Sequence, residues 1–401
     1  MPENILTKIS NLAEDYTGDT AGFLRDLISI PSVSCKEAGV INRIKSEMKT
    51  IGYDEIVIDP MGNIIGRIGN GPHVIAFDAH VDTVDVGNPD LWEFDPFTGK
   101  VENGIIYGRG ASDMKGGMAA ITYAGKIIKE MGVPDEMTIY MVGSVQEEDC
   151  DGLCWQYIVN EDKIKPELVV ITEPTNLNIY RGHRGRMEME IQTNGISCHG
   201  SAPERGVNAI YKMADLVKDV EQLNERLKDD AFLGKGTVTI SEIRSTSPSL
   251  CAVADSATIH LDRRLTAGET IDSAVNEIKN LASFKKHQAQ IRVLEYKTPS
   301  YTGLSYPTKK YYPTWTIDKN HHFLQNAEIV YKNLFCKDPI IDKWTFSTNG
   351  VATAGMFGIP TIGFGPANEI YAHSPLDQCP IDHLTKAMMF YAGMIKSEER
   401  S

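Results

Sequence analysis

His80 and Asp82 stand two residues apart in the stretch Val74–Val84, VIAFDAHVDTV. On an extended chain, side chains two apart point to the same side. A metal-binding imidazole usually donates its second ring N–H to a carboxylate, so His80 reads as a ligand and Asp82 as the group that orients it. Further along, Glu147 and Glu148 follow the apolar run Thr138–Val145, and Glu173 follows Leu168–Thr172. His373 comes a short loop after Thr361–Phe364, and Asp113 lies on the glycine-rich turn Gly108–Gly117 ahead of a helical stretch. Each has an ordinary reading by itself: a solvated Glu pair, a loop carboxylate, a helix N-cap, a structural histidine. What joins them is position. Open α/β sheets bind ligands beyond the carboxyl ends of their strands, and these residues sit at or just past such ends.

Charge supports a site for two ions. Two divalent cations carry +4. Asp113, Glu148 and Glu173 supply −3, and a bridging hydroxide supplies the last −1, which makes the neutral cluster a partly buried site needs. Two histidines with carboxylates suit zinc first, then cobalt or manganese. Such a metal lowers the pKa of its water to about 7 and makes hydroxide at neutral pH. The adjacent carboxylates Glu147 and Glu148 diverge, so one can bind metal while the other reaches the water as a general base.

The elements that must hold these residues follow from periodicity. Helices are expected over 4–16, 20–29, Ala38–Ile51, Ala119–Met131, His322–Phe335 and Ile381–Lys396, alternating with short apolar strands. The fold class is α/β: a three-layer αβα unit around a mixed sheet. From Met187 the pattern changes. Strands near 187–193, 237–243, 257–261 and 290–296, with helices over Ala209–Leu227 and Glu269–Leu281, give the strand-helix-strand-strand-helix-strand order of a ferredoxin-like α+β unit. The expected division is a discontinuous catalytic domain, 1–182 and 297–401, with an inserted lid and dimerisation domain, 183–296.

Composition bounds the partners. With 401 residues, two domains are expected. The net charge of −14 argues against nucleic acid or an anionic membrane as partner. No apolar run approaches the length of a membrane span, and the start of the chain lacks the apolar core of a signal peptide. Seven cysteines, an odd number, read as reduced thiols in a cytoplasmic protein. Cys150 and Cys154, one helical turn apart, are the only candidates among them for a metal pair.

The runs AFDAHVDTV, GRGASDMKGG, VQEED, ITEPT, SCHGSAPERGVNA, DRRLTAGET and YAHS, in this order and spacing, resemble the co-catalytic zinc peptidase/deacylase family. That family includes glutamate carboxypeptidase, acetylornithine deacetylase, succinyl-diaminopimelate desuccinylase and aminoacylase. The branch the chain resembles is a bacterial one labelled selenium-metabolism-linked hydrolases. The resemblance covers nearly the whole chain. It implies that Asp113 bridges two metals, that His80 and Glu173 complete one site, and that Glu148 and His373 complete the other. It implies Glu147 as general acid/base, Asp82 as orienter of His80, and a cis Asp113–Met114 peptide. It also implies that His199 reaches a partner subunit's active site to stabilise the tetrahedral intermediate, in a homodimer formed through the lid. Arg264 is implied to hold the substrate carboxylate.

The chain departs from the pattern at Cys251–Ala254, where many members have Asn-x-x-Pro, and has Asn349 and Asp377 where Asp and Glu are common. Arg181, His183, Arg184 and Arg186 crowd the start of the lid, as a solvated turn or as pocket residues. The expected reaction is metal-hydroxide attack on the amide of an N-acyl amino acid or dipeptide. An N-carbamoyl (ureido) amino acid is the alternative, and a non-catalytic metal-binding or interaction protein on the same fold is a remote one.

Overall fold

The computed structural model describes residues 5–398. Helices Ile5–Asp15, Thr17–Ile28 and Ala38–Ile51 open the chain; residue 4 of the first expected helix lies outside the described residues. An eight-stranded mixed sheet follows. Its spatial order is Glu55–Ile58, Ile64–Gly69, Met137–Ser144, His73–His80, Leu168–Ile171, Thr361–Gly363, Ile179–Tyr180 and Ile341–Asp342.

The middle of this sheet decides where chemistry can sit. The Met137–Ser144, His73–His80, Leu168–Ile171 and Thr361–Gly363 strands are neighbours and mutually parallel. Parallel neighbours end on the same sheet edge, so four consecutive strands open their C-terminal loops onto one place. Both faces of the sheet are buried, as all-parallel segments require. Ile75, Phe77 and Ala79 pack into one apolar cluster, while the alternate residue Ala76 packs into another that contains Val169, Ile171 and Trp155. Helices Gly116–Glu130 and Ile381–Glu398 cover the first face, and Leu153–Asn160 the second. This is the expected three-layer arrangement.

A separate antiparallel sheet has four main strands, Gly185–Asn194, Thr237–Thr246, Ser256–Leu265 and Gln290–Val293, and a short fifth, Tyr311–Tyr312, that pairs with the first of them. Taken in chain order, the four main strands lie in space as fourth, first, third, second, which is the ferredoxin-like order. One face is covered by helices Ala209–Arg226 and Ile271–Lys279, with Met187, Met189, Ile191, Ile259 and Leu261 between them and the sheet. Two expectations are corrected here. The helix read over Glu269–Leu281 is observed as Ile271–Lys279, and a second short helix, Ala282–His287, which the periodicity did not mark, follows it. The strand read over Gln290–Tyr296 leaves this sheet after Val293, and Glu295–Tyr296 pairs with Thr308–Lys309 instead.

All seven cysteines are free thiols. Among the described residues, no helix is long and apolar enough to cross a membrane.

Candidate active site

His80 is the last residue of its strand and only 1% exposed. Its Nδ1 donates to the backbone carbonyl of Asp82 at 2.9 Å, while the nearest Asp82 carboxylate oxygen is 3.6 Å away. The carbonyl is the nearer acceptor, with the Asp82 carboxylate behind it on the same ring nitrogen. The Asp82 carboxylate also has a second task. It accepts N–H bonds from Glu147 and Glu148, both at 3.1 Å, and the Ser34 hydroxyl at 2.7 Å. Asp82 thus couples the His80 loop to the Glu147–Glu148 loop.

With Nδ1 committed to a carbonyl, the other ring nitrogen of His80 faces acids. Nε2 lies 2.9 Å from Asp113 Oδ1 and 3.4 Å from Glu173 Oε1. The second oxygen of Asp113 lies 3.3 Å from His373 Nε2, which is also 2.9 Å from Glu148 Oε2. Asp113 therefore divides its two oxygens between two histidines, each of which has a second carboxylate beside it. Oxygen and nitrogen atoms of His80, Asp113 and Glu148 lie within 4.8 Å of one another, as do those of His80, Glu147 and Glu173. None of these groups among the described residues contains a cysteine. Cys154 donates to Asn349 Oδ1 and Cys150 accepts from the Tyr312 hydroxyl, so the two thiols face different partners.

The backbone is shaped around this cluster. Gly110 opens the turn before Asp113 in the left-handed region, φ +85°, where a side chain would be strained. Gly117 lets the following helix approach the Glu173 loop: a Cβ there would come 2.4 Å from the Thr172 hydroxyl. The Asp113–Met114 peptide is cis. Gln146 and His373 are non-glycine residues at φ +58° and +56°, the kind of strained backbone that collects at functional sites.

Burial and crowding set the protonation of the cluster. Burial first, then the Asp113 charge, push the Glu148 carboxyl up to about 7 and that of Glu173 up to about 8. Hydrogen bonds to Asp113 and Glu148 push His373 up to about 10. Burial, then Asp151, raise Glu147 well above the usual carboxylate range. Burying this many carboxylates together disfavours their charged forms, and a bound cation would offset that cost. Glu147 Oε1 and Glu173 Oε2 are buried with no hydrogen-bond partner, an arrangement native proteins keep where another group completes the site. This donor set fits divalent metal ions.

A cleft of about 330 Å³ lies over the cluster and is lined by Asp113, Glu147, Glu148, Glu173 and His373, and also by Asp151, Arg186, Arg264, Phe346, Ser347 and Glu369. Arg264 enters it from the lid sheet. Its guanidinium is held in a fork by Asp262, at 2.8 and 3.0 Å. His199 does not line the cleft of its own chain. It is exposed on the lid, and its Nδ1 accepts from the Ser201 backbone and hydroxyl.

Residues 76–397 match the model of peptidase family M20/M25/M40. The chain belongs to this family. It is 52% identical over 395 residues to the uncharacterized protein YgeY of Escherichia coli, covering 98% of each chain. The solved structure of aminopeptidase PepT from Bacillus cereus superposes with TM-score 0.72 at 19% identity, covering 95% of this chain and 98% of that one. YXEP of Bacillus subtilis, described as a dinuclear metal binding peptidase, superposes with TM-score 0.69 at 15% identity, covering 95% and 98%. The M20 fold thus accounts for the sheet and lid described above.

Sequence reasoning noted Asn349 and Asp377 as departures from the M20 pattern without finding their work. Buried Asp377 accepts from the Gly110 and Ser112 backbones, the Ser112 hydroxyl and Arg109, at 2.6–3.1 Å, and so fixes the turn that carries Asp113. Asn349 donates to Asp78 and Ser144 and accepts from the Gly152 backbone, tying the Glu147 loop to the strand of His80. Glu37 accepts from the Gln146 backbone.

The basic cluster at the lid entrance comes apart. Arg181 stacks over Phe232 and donates to the Ile317 carbonyl. Arg184 donates to the Lys235 carbonyl, and Arg186 alone reaches the cleft. His183 is fully buried. Its Nδ1 donates to the Arg184 carbonyl, and Nε2 accepts from the Trp315 indole and the Thr348 backbone. It is a neutral tautomer with nowhere to put a second proton, and burial holds it down to about 4. The unfolded value is about 6.5. Unfolding between these pH values takes up a proton, so stability is full above about 6.5 and falls by about 3 kcal/mol as pH drops to 4. Thermal midpoints of wild type and His183→Gln across pH 4.5–7.5 should converge on acidification. Parallel curves would remove His183 as the source.

Proposed function

We propose that the protein is a dinuclear metal-dependent hydrolase that cleaves the linear amide C–N bond of an N-acyl amino acid or dipeptide. The observation that carries this reading is the division of Asp113 between His80 and His373, each beside a second carboxylate. Asp113 would bridge two ions, with His80 and Glu173 holding one and Glu148 and His373 the other. Zinc suits this set best, with cobalt or manganese as alternatives. When bound, two such ions polarise a carbonyl and lower the pKa of water to about 7.

The chain's own residues then divide the remaining work. Glu147 has a free carboxylate oxygen in a dry place, suited to take a proton from the attacking water and return it to the leaving amine. Asp82 holds Glu147 and Glu148 by their backbone N–H groups, so the base and the ligand stay divergent. Arg264 exchanges its Asp262 fork for a substrate carboxylate of the same geometry. The same residues serve an N-carbamoyl amino acid. We place the protein in the cytoplasm on its free thiols, and divide it into the catalytic unit 1–182 and 297–401 and the lid 183–296.

His199 enters by dimerisation. The Thr237–Thr246 strand lies at the edge of the lid sheet. Its residues from Ser241 onward are all exposed, including Ile243 at 59%. Tyr211 and Ile210, on the lid helix, are exposed too. A long open edge invites a second strand, and a second copy about a two-fold axis supplies one.

A screen for released amine decides the reaction: N-acetyl, N-succinyl and N-carbamoyl amino acids and dipeptides, with zinc, cobalt and manganese. Turnover of one class is expected, and no activity in metal-replete protein would overturn the reading. Elemental analysis should find about two metals per chain. His80→Ala and His373→Ala should each lose metal, and full occupancy in both variants would remove the ligand assignment.

A further inference from the structure

The lid sheet has one open face, and that face runs into the cleft. Arg186 and Arg264 stand directly opposite each other on adjacent strands, and the next pair along is Glu188 opposite Asp262. Like charges directly opposite on one face are destabilising, yet here two such pairs follow each other. The acidic pair is satisfied locally: Glu188 receives Lys310 at 2.8 Å and Asp262 the Arg264 fork. The arginine pair sits at the cleft end.

Arg186 is poorly satisfied for a half-buried guanidinium. Asp151 is its one hydrogen-bond partner among the described residues, at 3.4 Å, well beyond the 2.7–2.9 Å of a good charge-assisted bond. Its Nε is buried without a partner, and so is Asp151 Oδ2. The guanidinium carbon lies over the Tyr312 ring, 4.6 Å from its centre, a cation–π contact that leaves the N–H groups for a ligand. Asp151 belongs to the loop that carries Glu147, so Arg186 is held close to the reacting centre.

We propose that Arg186 joins Arg264 as a second anion-reading residue, so that the amine half of the substrate is a dicarboxylic amino acid. This rests on the hydrolase reading above. Directly opposed residues have Cβ atoms about 5 Å apart. Two long side chains anchored at that spacing and ending in one cleft can converge on two carboxylates of one short carbon skeleton, as in aspartate or glutamate. Groups on either side of the scissile bond would have to straddle the metal ligands instead.

The test is calorimetric binding of aspartate, glutamate, alanine and norvaline to the metal-loaded protein. Aspartate or glutamate should bind at least tenfold more tightly than its neutral counterpart. Arg186→Met and Arg186→Gln should each remove most of that preference. Metal content and melting temperature of each variant are measured alongside, and either variant with wild-type values suffices. A wild-type protein without the preference, or a well-folded variant that retains it, overturns the proposal. These probes are not cleaved, so a failure to find hydrolysis would count against the reaction and leave this readout intact.

Discussion

Glu147→Gln should keep fold and metal while losing ~10²–10⁴-fold of turnover, the usual contribution of a positioned general base. The side chain is 4% exposed, and its Oε1 has no protein partner. Its backbone is pinned to Asp82, which the substitution does not touch. Glutamine has the same shape and cannot accept the water's proton as a carboxylate does. Burial already favours the neutral form of this group, so removing the charge should not loosen the loop. Glu148→Gln is the control one residue away. Its carboxylate faces His373 at 2.9 Å, so its loss should appear first as lower metal content and only then as lower activity. Metal analysis and single-turnover rates on both variants separate the two roles. Turnover of Glu147→Gln within a few-fold of wild type would put the base elsewhere.

The Glu pair also shows what could be read from sequence and why. His80, Glu148 and Glu173 lie at or just past the ends of apolar runs, and those runs are neighbouring parallel strands, so a one-dimensional pattern maps onto one edge in space. The ferredoxin-like lid was legible for a related reason: its alternating strands and amphipathic helices carry their own periodicity. The residues that hold the site steady were not. Asp377 acts on a turn some 265 residues earlier, and Asn349 on strands some 200 residues away or more. No local pattern marks such pairings. Asp82 was found beside His80, but the backbone N–H bonds its carboxylate accepts from Glu147 and Glu148, some 65 residues later, carry no local sign. Arg264 was expected to hold a substrate carboxylate, and its fork on Asp262, which follows from i, i+2 placement on one face of a strand, was not foreseen. The lid's last strand failed at Leu294, where apolar character continues but the pairing partner changes.

Mixing Glu147→Gln subunits with His199→Ala subunits should restore activity that neither variant has alone. His199 is exposed and outside its own chain's cleft, with its Nδ1 occupied by Ser201. That leaves Nε2 carrying the proton and aimed outward as a hydrogen-bond donor. A donor to the developing oxyanion is worth ~10²–10³-fold in kcat, so His199→Ala alone should be severely impaired with normal metal content. If the exposed lid edge pairs with its twin, that donor serves the neighbouring subunit. In a mixed dimer, one cleft then draws intact Glu147 from its own chain and intact His199 from the other, while the second cleft lacks both. Site counting gives roughly half of wild-type activity per mixed dimer if the donor acts in trans. Subunit exchange is verified separately by mass-tagged chains. Exchange without recovery would mean that His199 acts within its own chain or plays no part in the reaction, and a monomer in solution would remove the dimer along with it.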